Sequence, residues 1–264
     1  MWVVVDSGPR PIVEALVEGV RVPMHVHANA GFTVMLTHDA LRRVNGTSVA
    51  KETEFGLDHD LHVSRLGRGS TVLSSLEVAG VRLTDVACAV FQLPTTNWEG
   101  MLGVDWLEAT GPVVDFGALT LAFPDSEARA RFSAESGRVE LELELDSELR
   151  RYVGDFRLDG EPATFVVSTA GGTILDLGYA RERGLDLTPP IGEDHGPSGA
   201  VVPVFETANP VRLEGPNGAL TTASLQVHDI HAYRGVERPA DGPAIAGYLG
   251  ADVLLANNAA LDFG

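Results

Sequence analysis

Alternation of apolar and polar positions dominates this chain, and its interruptions mark the turns. In ALVEGVRVPMHV, Ala15 to Val26, it runs on either side of Glu18-Gly19. Successive strand residues face opposite sides, so this pattern predicts two strands joined by a tight hairpin turn. RVELELEL, Arg138 to Leu145, alternates apolar and acidic residues and predicts a half-solvated strand. SSLEVAGVRLTDVACAVFQL, Ser74 to Leu93, predicts a strand, a turn at Gly80 and a second strand, and SLQVHDIHAY, Ser224 to Tyr233, predicts a later counterpart. Helical periodicity is scarce. THDALRRV (Thr37 to Val44) and LGYARERG (Leu177 to Gly184) predict helices of about two turns, the second stopped by Gly184. VDWLEAT (Val104 to Thr110) and ADVLLAN (Ala251 to Asn257) each follow a Leu-Gly and predict one short helix. The fold class is all-β with a few short helices.

The pattern occurs twice. VHANAGFTVMLTHDALRR, starting at Val26, aligns without a gap on VVSTAGGTILDLGYARER, starting at Val166, a shift of 140 residues (166 − 26). GMLGVDWLEATGPVVDFG, starting at Gly100, aligns on GYLGADVLLANNAALDFG, starting at Gly247, a shift of 147 (247 − 100). Two motifs in the same order at nearly the same separation predict two homologous units, residues 1–123 and 138–264. A polar linker without a core pattern, residues 124–137, joins them.

Composition allows two such units and narrows the partners. The 264 residues are 44% apolar, enough for a core in each unit, and 29 Gly with 15 Pro suit short strands and turns. A formal net charge of −18 repels phosphate backbones and anionic lipid, so neither nucleic acid nor a membrane surface is an expected partner. The single cysteine, Cys88 in VACAV, reads as a small buried residue and cannot form an internal disulfide. The first residues, MWVVVDSGPRPIVEAL, show no basic region followed by a long apolar one, and no segment is apolar for long enough to span a bilayer. A cytoplasmic monomer is the default expectation.

The repeated residues carry a family resemblance. An apolar strand, a small-residue turn, Ala30-Gly31, Thr33-Val34 and a short helix resemble the active-site segment of retropepsin-like aspartic peptidases, apolar-Asp-Thr-Gly-Ala-x-x-Thr-Val-Leu. Leu102-Gly103-x-Asp105-x-Leu107 with Asp115, and Leu249-Gly250-x-Asp252-x-Leu254 with Asp262, resemble the second hallmark of that family. The resemblance implies two retropepsin-like β-barrel units about a pseudo-twofold axis, a pepsin-like bilobal single chain with a central cleft. It also implies covering flaps, around Leu66 to Leu73 and Gly196 to Val204. In the family each unit supplies one Asp, and the pair shares a proton and activates a water.

This chain departs from that pattern where the chemistry sits. Anchored on Thr33 and Thr173, the two Asp positions fall on His27 and Val167; a shift of one residue puts Ser168 in the second slot. Neither slot holds a carboxylate, so peptide hydrolysis by the family mechanism is not expected. The Asp-Ser-Gly at Asp6 is no substitute: no Ala-x-x-Thr follows it, and the repeat lays Asp6-Ser7 on Asp146-Ser147 as a turn or cap at a strand end.

His27 is the candidate catalytic residue, since an imidazole near its ordinary pKa of about 6.5 serves as acid or base at neutral pH. His25, Asn29, Val167, Ser168 and Thr169, with Leu66 and Val201 from the flaps, are the candidate substrate-binding residues. His25 and His27 share a strand face and could meet a metal if Asp58, His59, Asp60 or His62 gave a third ligand. Asp105 and Asp252 read as helix caps, Asp39 as support for a helix start, Asp115 and Asp262 as strand-end residues, and Glu52, Glu54, Asp58 and Asp60 as a solvated acidic face. His228 and His231 read as strand or loop residues. Ala170-Gly171-Gly172 lacks the context of a phosphate loop. Three readings follow. The favoured one is a small-molecule enzyme without cofactor or metal, promoting a cyclisation, isomerisation or elimination of a largely apolar substrate. The others are an inactive pseudo-peptidase holding an extended peptide, and a metal-dependent enzyme using His25 and His27.

Overall fold

The turn at Glu18-Gly19 forms as the alternation predicts: φ is +50° at Glu18 and +78° at Gly19, the two positive values a tight hairpin turn needs. It joins strands Gly8–Val17 and Val20–Val26 in a register running from Val17 opposite Val20 to Ile12 opposite His25. Asp159-Gly160 builds the same turn, with φ of +50° and +84°, between strands Arg151–Leu158 and Glu161–Val167. The computed structural model describes residues 2–5, 8–51, 56–57, 63–64, 67–92, 97–135, 141–146, 150–196, 199–238 and 245–264. Asp6, Ser7 and Ser147 therefore lie outside the described residues, as do Leu66 and the acidic and histidine candidates between positions 52 and 62.

Each hairpin belongs to its own ten-stranded sheet. In the first, Gly100–Leu102 lies between Val20–Val26, to which it is parallel, and Val34–Leu36, to which it is antiparallel. In the second, Ile245–Leu249 lies between Glu161–Val167 and Ile174–Asp176 with the same two senses. The parallel pair Val34–Leu36 with Val86–Phe91 is matched by Ile174–Asp176 with Gln226–His228. A third sheet of three strands joins the two parts. In it Val113–Asp115 runs antiparallel to Ala260–Asp262, with Val114 opposite Leu261. These are the residues the sequence alignment makes equivalent, so each part contributes the same strand to a shared seam.

One apolar core runs through both parts. Val22, Met24, Val26, Leu36, Leu102 and Trp106 fill the first, and Phe165, Val167, Leu175, Val227 and Leu249 the second. Each such side chain contributes about 1.5–3 kcal/mol by leaving water. Cys88 is buried among them, and burial pushes its thiol pKa up to about 12. The expected helices form as His38–Arg43, Val104–Thr110, Leu177–Glu182 and Ala251–Ala256. No helix of the described residues is long and apolar enough to cross a membrane.

Three segments differ from the sequence reading. The linker contains a helix, Ser126–Glu135, started by Asp125 Oδ1 accepting from the Ala128 N–H at 2.8 Å. Its Arg129 donates to the Gly111 carbonyl at 2.7 Å and ion-pairs with Asp262, so a segment without a core pattern still ties both parts together. The strand expected over Arg138 to Leu145 is only Glu144–Asp146 among the described residues. SLQVHDIHAY is strand only at Gln226–His228; Asp229 then caps a helix, Ile230–Arg234, by accepting from the His231 and Ala232 N–H groups.

Candidate functional site

The two slots are defined by the same backbone hydrogen bond. The His27 N–H donates to the Leu102 carbonyl at 2.8 Å, and the Ser168 N–H donates to the Leu249 carbonyl at 2.8 Å. Ser168, not Val167, is thus the structural counterpart of His27. Val167 packs in the core at 1% exposure, on the other side of its strand, so it is corrected from the list of ligand-facing residues. The cause is a shorter loop: six positions separate His27 from Thr33 (33 − 27), but five separate Ser168 from Thr173 (173 − 168). The gapless alignment hid that deletion.

Thr169 follows Ser168 and is completely buried. Its Oγ1 accepts from the Ala28 N–H at 3.0 Å and donates to the Val26 carbonyl at 2.5 Å, clamping the first slot from the second part. Ser168 is turned to its own loop, its hydroxyl accepting from the Ala170 N–H at 3.2 Å and lying 3.3 Å from the Ala170 carbonyl. Behind the slots, Gly103 donates to the Thr33 carbonyl at 3.0 Å and Gly250 donates to Thr173 Oγ1 at 3.0 Å.

The repeated aspartates are structural but not helix caps. Gly103 and Gly250 occupy the cap positions. Asp252 accepts from the Thr173 N–H at 3.0 Å and from Thr173 Oγ1 at 2.8 Å, whereas Asp105 ion-pairs with Arg150. Thr37 caps the helix that Asp39 supports. Asp115 and Asp262 end their strands as expected.

Around His27 the structure gathers cations and aromatic rings. His25 is fully buried, and its ring stacks on that of His27 with centroids 4.9 Å apart and planes at 20°. The Trp98 ring lies 5.7 Å from that of His25, tilted by 49°. Extending the ladder by two residues from Ile12–His25 brings Arg10 opposite His27, and extending it from Val153–Val166 brings Arg151 opposite Ser168. Arg151 is 9% exposed and donates to Tyr248 Oη at 3.4 Å. Burial, then the charges of Arg10 and Arg151, push the His27 pKa down to about 3. His25 is held well below the usual range by burial, His27 and Arg10. Burial also lowers Arg10, and takes Arg151 to about 10. The expected near-neutral titration of His27 is therefore corrected: with nothing bound, its imidazole is neutral at neutral pH.

The segment expected as the second flap, Gly196 to Val204, lies in a hairpin of strands Gly192–His195 and Val201–Glu206. Asp194 Oδ2 lies 3.6 Å from His228 Nδ1, and the His228 ring stacks on Tyr233 at 5.0 Å and 15°. Tyr233 is close enough to Arg10 and Tyr248 to feel both, and burial raises its pKa to about 12. Val201 is half-exposed on the returning strand, and Asn29 keeps a buried Oδ1 without a partner. Around the first expected flap, Leu66 to Leu73, the structure describes strand Arg68–Leu73 with Val49–Ala50 paired to it, and Gly56–Leu57 and Val63–Ser64 form a separate short pair. Among the described residues no group of three His, Cys, Asp or Glu side chains converges to hold a metal. Hollows of about 600 Å³ and 210 Å³ lie elsewhere, at Asp155–Pro162–Gly215 and at Asp159–Leu185–Asn209.

The sequence pattern does not single out Arg10, Arg151, Trp98, Tyr233 or Tyr248, and His228 ends a strand as read. One signal was present: an arginine recurs at the same strand position before each slot.

No family model matches the chain, and no curated protein matches it. Among solved structures it is similar to a retropepsin-like aspartic protease from Rickettsia conorii, at 16% identity over 38% of this chain and 70% of that one, with a TM-score of 0.27. It is similar to the EIAV protease complexed with the inhibitor HBY-793, at 20% identity over 41% of this chain and 89% of that one, TM-score 0.31. It is also similar to conglutin gamma from lupine seeds, at 13% identity over 94% of this chain and 87% of that one, TM-score 0.41.

Proposed function

We propose that this protein is a two-unit, pseudo-twofold relative of aspartic peptidases that does not cleave peptides. Its inter-unit site binds a small molecule and promotes a non-hydrolytic conversion: a cyclisation, isomerisation or elimination. The observation that carries the reading is the pair of equivalent backbone bonds at His27 and Ser168. The two strand ends that carry these bonds meet at the Thr169–Ala28 hydrogen bond, and one holds an imidazole and the other a hydroxyl. With no carboxylate in either slot there is no dyad to share a proton and activate water. The strand register, the repeated turn and the Val113–Asp115 seam support the pseudo-twofold arrangement.

In this reading His27 is a neutral imidazole fixed beside the ligand, and a bound negative charge raises its proton affinity. The site orders one reactive conformer and excludes water while His27 accepts the proton. Native mass spectrometry of the purified full chain and of His27→Gln tests this. A small molecule should accompany the wild type and persist unconverted in the variant. Recovery of an extended peptide, of a stoichiometric metal, or of nothing that depends on His27 would remove the reading.

A further inference from the structure

We propose that the ligand of this site is an organic anion, a carboxylate on an apolar body, whose charge is gripped by Arg10 from one unit and Arg151 from the other. The inference rests on the small-molecule reading and narrows its ligand to one chemical class.

Two other arginines described nearby have carboxylate partners, while Arg234, whose charge also acts on Arg151, is only partly buried and can be met by water. Arg150, next in the chain, ion-pairs with Asp105 and Glu108 at the surface, and Arg238 ion-pairs with the buried Asp176. With 37 acidic residues against 19 basic ones, the chain has carboxylates to spare. Neither Arg10 nor Arg151 is given one among the described residues. Each keeps a buried Nε with no hydrogen-bond partner, and the partner seen for Arg151 is the neutral hydroxyl of Tyr248. An unpaired buried charge is costly, and its persistence from both sides of one site is explained by a countercharge that arrives with the ligand. A guanidinium presents its donors as a planar fork that matches a carboxylate.

The apolar body follows from what flanks the arginines. Ile12, Met35, Phe91, Trp98 and Met101 form a small cluster beside His25, separate from the main core. Val166, Ile230, Ile245 and Tyr248 form another beside Arg151. His27 lies between the charges. Burial, then the arginine fields, hold the imidazole in its neutral form; an anion there would offset the arginines and so raise the proton affinity of His27 when ligand is bound.

Calorimetric titration of the full chain with benzoate, inorganic phosphate and benzamide at neutral pH tests the assignment. Benzoate should bind and the neutral benzamide should not; Arg151→Met should weaken benzoate by about tenfold or more. The ligand-free Arg151→Met protein should unfold at a higher temperature than wild type, because an unpaired buried charge has gone. A merely structural arginine would lower it. Arg151→Lys, which keeps the charge and loses the fork, should also weaken benzoate and serves if the Met variant does not fold. Benzoate binding no tighter than benzamide, or unchanged in Arg10→Met/Arg151→Met, overturns the proposal; phosphate binding as tightly as benzoate overturns its apolar half. A neutral molecule that co-purifies with the double variant sinks the anion assignment and leaves the small-molecule reading standing. Arginine-dependent benzoate binding with no His27-dependent ligand does the reverse.

Discussion

Thr169 and Ala28, 141 residues apart, are joined by a hydrogen bond of 3.0 Å in which the Thr169 hydroxyl accepts from the Ala28 N–H. The same hydroxyl donates to the Val26 carbonyl at 2.5 Å. Ala28 follows His27 as Thr169 follows Ser168, and it has no hydroxyl with which to return the contact. The clamp is therefore one-sided, and Thr169 alone satisfies a buried donor and a buried acceptor of the partner slot.

Thr169→Val keeps the shape and removes the hydroxyl, leaving both of those backbone groups without a partner. The expected loss is about 2–4 kcal/mol by urea denaturation at neutral pH, with Thr169→Ser close to wild type. A Val variant within about 0.5 kcal/mol of wild type would show that the clamp does not hold the two sheets together.

Stability should depend on pH through the two stacked histidines. His27 titrates at about 3 in the folded protein and His25 is shifted the same way, both below the ordinary value of about 6.5. Below about pH 6.5 the unfolded chain takes up protons that the folded chain refuses. Their contribution is thus fully present above about pH 6.5 and declines as pH falls toward 3, by about 1.4 kcal/mol per pH unit for each histidine. His27→Gln should remove one proton from that slope, measured by denaturation at neutral pH and at about pH 5. An unchanged slope, or a His27 resonance that titrates near neutrality in the ligand-free protein, would contradict the burial and the paired arginine fields.

Much of this architecture is legible in the sequence, and the parts that are not have definite causes. Alternation around Glu18-Gly19 exposes the hairpin because a half-buried strand must alternate. The repeated pattern returns as matching strand pairings in two ten-stranded sheets, and the Leu-Gly pairs expose the helices after them. The second slot was displaced because a loop shortened by one residue is invisible to a gapless alignment, whereas backbone hydrogen bonds show it at once. The helix at Ser126–Glu135 escaped notice because its ends are fixed by Asp125 and Arg129, with no apolar stripe to betray it. Arg151 was hidden beside Arg150. Only the fold decides which of two adjacent arginines meets Asp105 at the surface and which turns inward to Tyr248.

The glycines of the two Leu-Gly pairs permit the loops behind the slots to approach closely. A Cβ at Gly103 would lie 2.1 Å from the Phe32 carbonyl oxygen, and one at Gly250 would lie 2.4 Å from the Gly172 carbonyl carbon. Both obstacles are backbone, which cannot swing aside. Gly103→Ala and Gly250→Ala should each cost about 4 kcal/mol or more, or prevent folding. Gly160→Ala is the control: nothing lies within 4 Å, so only its φ of +84° opposes the change, at about 1–2 kcal/mol. Circular dichroism melts of the three variants compare them, and equal losses would show that close approach is not the cause.

The hairpin Gly192–His195 with Val201–Glu206 should be latched to the site by Asp194 and His228. Burial lowers the His228 pKa while the Asp194 charge opposes it, so replacing Asp194 by Asn lowers the pKa further and removes the carboxylate that faces the ring. Asp194 is nearly half-exposed, so the pair is worth under about 1 kcal/mol. Amide exchange within residues 192–206 should quicken by up to about fivefold in Asp194→Asn, while strand Glu161–Val167 keeps its protection. A larger opening is expected of Gly196→Ala, whose Cβ would fall 1.8 Å from the Tyr233 carbonyl oxygen and force the hairpin off the Ile230–Arg234 helix. Tyr233 sits beside Arg10, so both variants should also alter access to the arginine pair. Exchange that stays slow in the hairpin of either variant would mean that contacts other than Asp194–His228 and Gly196–Tyr233 hold it down.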